Sequence, residues 1–139
     1  MSAAQLAVLA RTTEPQTMLR RFLALDAAVT GANGLAYLAA SGPLGRLLGV
    51  DQGLLLVLGL LLTVYAAAVA LLASRPAPPA LPVRAVIEVN LAWAALSIAA
   101  LALWLSPSTA GAVWIPVQAL TVLAFALVQY AALRARGQD

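Results

Sequence analysis

Between Gly53 and Ala73 the chain has no polar face: Thr63 and Tyr65 are the only polar side chains among Leu, Val, Ala and Gly. A helix packed on a water-soluble core keeps at least one polar side for solvent, and this one has nothing to put there. At 1.5 Å per residue the stretch is long enough to cross the roughly 30 Å of hydrocarbon in a bilayer. Its surroundings must therefore be lipid.

Three further stretches have the same character, about 22–40, 85–105 and 112–133. Of the 139 residues, 63% are hydrophobic and 9% charged, more apolar surface than one small core can hide from water. The predicted fold is all-α: a single membrane domain built as an antiparallel bundle of four transmembrane helices. The links around Ser41-Gly42-Pro43, Ser74 to Pro79, and Ser106 to Gly111 are short, which makes sequence neighbours run antiparallel. Residues 1–21 form an N-terminal segment and 134–139 a tail. Thr13, Pro15 and Gln16 have the form of a capping box with Pro near the start, which predicts that the first helix begins there. Residues 1–10 are mildly apolar with no basic stretch before them, so no cleavable signal peptide is expected.

Orientation follows from the arginines. Arg11, Arg20, Arg21, Arg75, Arg84, Arg134 and Arg136 fall on one side of the four spans and only Arg46 on the other. Positive residues stay cytoplasmic, which predicts a multi-pass plasma-membrane protein with both termini in the cytoplasm. Trp104, Trp114 and Tyr37 then fall near the outer interface. The pI near 10.2 does not point to nucleic acid, because these arginines flank apolar runs and form no aromatic-laced patch.

The chain lacks both Cys and His. That removes thiolate chemistry, His-ligated haem and the usual zinc sites, so neither a metal nor another cofactor is expected. No spacing matches a nucleotide-binding loop or a nucleophile elbow.

Polar residues inside the spans are the functional candidates. Asp26, Thr30, Asn33 and Tyr37 follow one another at helical spacing and share one face. Trp114, Gln118, Thr121, Phe125 and Gln129 form a similar stripe in the fourth span, and Asn90, Trp93 and Ser97 in the third, where Glu88 points elsewhere. Asp26, Glu88 and Gln129 each lie about 5 to 8 Å from the cytoplasmic edge. Lipid cannot satisfy such groups, so the stripes should face one another or line a wet cavity. Interfacial ion pairs with Arg20, Arg21 or Arg84 are the structural reading of Asp26 and Glu88, and interhelical hydrogen bonds that of the amides.

The stretch from Leu25 to Ala40, with Val89-Asn90-Leu91-Ala92-Trp93 and Val117-Gln118-Ala119-Leu120, resembles small four-span integral membrane proteins of unknown function common in actinobacteria. The resemblance implies fold and location, not an activity. Size and span count are also similar to small multidrug resistance transporters and DoxX-like proteins, although the aromatic substrate face of those transporters is not evident.

Three functions are compatible with these residues. The first is a membrane protein whose inner polar layer, Asp26, Thr30, Asn33, Tyr37, Asn90, Trp93, Gln118 and Gln129, binds a lipid-like or small amphipathic molecule or docks a partner membrane subunit. The second is a proton-coupled transporter acting as a homodimer, with Asp26 as the exchanging carboxylate. The third is an intramembrane enzyme using Asp26 and Glu88 as an acid/base pair on a lipid or isoprenoid.

Overall fold

The computed structural model describes residues 2–137, leaving out the side chains of residues 5–13. Arg11 and Thr13 as side chains, and the tail residues 138–139, thus lie outside the described residues. Five helices and no strand occur among them: α1 (Ala3–Ala39), α2 (Ser41–Leu48), α3 (Gln52–Ala73), α4 (Ala80–Leu103) and α5 (Thr109–Gly137). Four are long and apolar enough to cross a membrane, with α1 contributing Glu14–Ala39. These four helices mark a multi-pass membrane protein. Their outward faces agree: Leu56, Val57, Leu60, Leu61, Val64 and Leu71 of α3 are all exposed, while Asp26, Asn90 and Gln129 are buried.

Several boundaries differ from the expected ones. The first helix does not start at Thr13; it runs through that point from Ala3 and carries Pro15 inside it, continuing an Ala- and Leu-rich stretch of high helix propensity. The third begins at Ala80, five residues early, because Pro79 supplies an extended cap and Pro82 sits in the first turn, where no backbone N–H is needed. The fourth begins at Thr109 because Ser108 caps it: its hydroxyl accepts the Gly111 N–H at 3.2 Å. It also continues to Gly137, with Arg134 and Arg136 in the last turn, where cations suit the helix dipole. The link at Ser41 to Leu48 is itself a helix, ended by Gly49 at φ 68°, a left-handed conformation that glycine adopts without strain.

The packing is uneven. Helix α1 lies against both α3 and α5, α5 lies against α4, and the backbones of α3 and α4 scarcely approach each other although the two are neighbours in the chain. The α1–α3 seam is tight because it is built of glycine. A Cβ on Gly34 would come within 2.9 Å of the Thr63 backbone nitrogen, and one on Gly59 within 2.9 Å of the Gly34 carbonyl oxygen. Only a residue without a side chain allows that approach. Arg20 adds a bond from its Nε to the Ala73 carbonyl at 3.2 Å, closing the C-terminus of α3.

Two apolar clusters occupy the two ends. Leu19, Leu23, Val69, Val83, Val86 and Ala126 belong to the one beside the arginine-rich end. Tyr37, Leu55 and Leu62 form the other. Along α1 the polar groups lie between them.

Candidate functional site

Asp26 is fully buried and accepts three hydrogen bonds. Thr30, one turn later on the same helix, gives its hydroxyl to Oδ1 at 2.9 Å. Asn90 of α4 and Gln129 of α5 each give an amide N–H to Oδ2 at 2.8 Å. Asn90 Nδ2 also reaches Gln129 Oε1 at 3.1 Å, and its own oxygen accepts the Tyr65 hydroxyl of α3 at 3.0 Å. The Asp26 carboxyl thereby joins α1, α4 and α5 directly and reaches α3 through Asn90. No buried polar side-chain atom among the described residues is left without a partner, as a group surrounded by lipid requires.

The carboxylates do not take the expected ion pairs. Arg20 turns to the end of α3 and not to Asp26. Glu88 is exposed, has no hydrogen bond or ion pair among the described residues, and lines a depression with Arg84 on the outside of α4. It precedes Asn90 by two positions, roughly 200° around the helix, so it faces away from Asp26. An acid/base pair of Asp26 and Glu88 in one cavity is therefore not what this geometry offers.

Beside the Asp26 cluster a cavity of about 700 Å³ is framed by all four long helices. Thr30 and Asn33 of α1, Tyr65 of α3, Asn90 and Trp93 of α4, and Gln118, Thr121 and Phe125 of α5 line it together with aliphatic side chains. None of its lining residues is charged. Val29, Leu61, Val89 and Val117 are in its wall and exposed, so the cavity is open, as the sparse contact between α3 and α4 allows.

Most of the polar groups in its wall are occupied. Trp93 Nε1 donates to Gln118 Oε1 at 2.8 Å, and Gln118 Nε2 to the Ile115 carbonyl at 3.0 Å. Thr121 bonds back to the Val117 carbonyl at 2.9 Å, a helix-internal contact. Asn33 differs: its half-buried amide makes no hydrogen bond at all among the described residues. It adjoins Gly34, which packs on Thr63 at mid-length of α3, and therefore sits far from either end.

Of the eight binding candidates, Thr30, Asn33, Asn90, Trp93 and Gln118 line this cavity. Tyr37 lines a neighbouring one of about 320 Å³ nearer the Trp104 end. Its hydroxyl accepts the Trp114 indole N–H at 2.8 Å, so these two rings bond to each other within the fold. Asp26 and Gln129 are sealed behind Thr30 and Asn90. The residue sequence reasoning missed is Tyr65, the bridge from α3 to α4. Its signal was its isolation, since it and Thr63 are the only polar side chains of an otherwise apolar span.

No known protein family, no curated protein and no solved structure matches the chain. The likeness to actinobacterial four-span proteins rests on the sequence stretches quoted for it.

Proposed function

We propose that the chain is an antiparallel four-helix bundle of the cell membrane, with both termini cytoplasmic, that binds a neutral amphipathic or lipid-like molecule in the cavity beside Asp26. The orientation is supported by Arg20, Arg21, Arg75, Arg84, Arg134 and Arg136 gathering at one end and Arg46 alone at the other. Antiparallel packing is supported by the contacts of Arg20 with Ala73, Gly34 with Gly59, and Arg136 with Pro78.

The observation that carries the binding reading is Asn33. An amide at mid-membrane depth with no partner of its own is costly in hydrocarbon, and a molecule bearing a hydroxyl or carbonyl would satisfy it. The cavity's uncharged lining favours a neutral ligand over a charged one, and its open, aliphatic wall suits a hydrocarbon tail.

Asp26 acts in this reading as the fixture that holds Thr30 and Asn90 in the wall. The test is native mass spectrometry of the protein extracted with its surrounding lipids. Wild type should retain a neutral molecule, and Asn33→Leu should lose it without losing thermal stability. A stable Asn33→Leu protein that retains the same molecule would overturn the assignment.

A further inference from the structure

A second depression, of about 620 Å³, lies between the start of α4 and the end of α5, on the arginine-rich end and apart from the Asn33 cavity. Arg84, Glu88, Tyr130, Arg134 and Arg136 line it above an apolar floor that includes Ile87. Arg84 has no hydrogen bond or ion pair among the described residues. Arg134 gives one N–H to the Tyr130 hydroxyl at 3.1 Å. Arg136 is held by the Pro78 carbonyl at 2.6 Å and by Gln16 at 3.4 Å, which fixes its guanidinium at the rim and leaves further N–H groups unused.

We propose that this depression binds the phosphate headgroup of an anionic membrane lipid. Guanidinium groups on two helices present fork-shaped donors that match phosphate oxygens, and a charged acceptor strengthens each bond. The apolar floor continues to Leu91, which is 41% exposed, giving the acyl chains a path along α4 into the bilayer. Basic pockets between membrane helices at this depth suit lipid headgroups.

Glu88 refines the choice of ligand. It follows Arg84 by one turn, but with the cation first this is the poorer order for an ion pair on a helix, and the pair does not form. Glu88 therefore leaves Arg84 available while lowering the positive potential of the site. Three arginines against one acid leave a net positive site, which suits an anionic headgroup and not a zwitterionic one.

The test is native mass spectrometry of the purified protein in detergent, titrated with phosphatidylglycerol, phosphatidylcholine and phosphatidic acid, with inorganic phosphate as competitor. Phosphatidylglycerol and phosphatidic acid should both bind better than phosphatidylcholine, inorganic phosphate should fail to displace them, and Arg84→Gln with Arg134→Gln should weaken their binding about a hundredfold, the loss of two charge-assisted bonds at about tenfold each. Glu88→Gln removes no contact within the fold, so it reports even if the double variant misfolds, and it should strengthen binding of both anionic lipids. Equal binding of phosphatidylcholine, displacement by inorganic phosphate, full retention by a folded double variant, or weaker binding by Glu88→Gln would each overturn the proposal.

Discussion

Asn90 and Asp26, sixty-four positions apart in the chain, meet at 2.8 Å inside the protein, the amide of one on the carboxylate of the other. Gln129 donates to the same oxygen at the same distance, so α1, α4 and α5 share a single acceptor. What Asp26 contributes is acceptor geometry, and that can be separated from its charge.

Asp26→Asn keeps an oxygen for Asn90 and Gln129 and turns its NH2 toward Thr30, whose hydroxyl can accept as well as donate. The expected loss is about 1 kcal/mol, the difference between charged and neutral hydrogen bonds. Asp26→Leu takes away the carboxylate acceptor of both buried amides, leaving the Asn90 NH2 only its bond to Gln129, and should cost about 1 to 3 kcal/mol for each. Thermal unfolding in detergent measures both. An Asn variant as damaged as the Leu variant would show that the charge itself holds the cluster.

Gln118 and Asn33 line the same cavity with opposite roles. Gln118→Leu removes the acceptor of Trp93 and should cost about 0.6 to 1.7 kcal/mol, whereas Asn33→Leu breaks no bond and should leave stability unchanged or raised. Equal destabilisation by the two would mean that Asn33 has a partner within the fold.

The glycines of the α1–α3 seam should separate in the same way. A Cβ on Gly31 meets only the Ala66 methyl, at 3.4 Å, so Gly31→Ala should be nearly neutral. Gly34→Ala presses on the Thr63 backbone, which cannot yield as a side chain can, and should cost about 1 to 3 kcal/mol. Melting temperatures of the two variants decide it; similar values would contradict the close approach.

Topology is open to cysteine labelling, since the chain has no cysteine of its own. Ala77→Cys should react only after the inner face is exposed, and Ser106→Cys, at the opposite end and exposed, should react in intact cells. External labelling of Ala77→Cys would reverse the orientation.

The apolar run from Gly53 to Ala73 and its three counterparts were enough to read the number of spans. Burial in lipid is a property of each segment alone and leaves its mark on every residue of it. Helix ends were less legible: Thr13 has the signature of a start, yet the helix passes through it, because caps are weak local preferences that a neighbouring helical stretch overrides. The polar stripes were also visible, as spacing of three and four along one helix fixes which side chains share a face.

Which stripes meet was not visible. Asp26 could as well have paired with Arg20, within two turns before it, and Glu88 with Arg84, one turn before it. Tertiary structure decided otherwise. The glycines at 34 and 59 draw α1 onto α3, which brings the Ala73 carbonyl to Arg20 and leaves Asp26 to amides from two distant helices. The same packing parts α3 from α4, opens the cavity and leaves Asn33 in its wall without a partner. Membership of a face is set by helix geometry within a segment, whereas the choice of partner is set by how closely whole helices can approach.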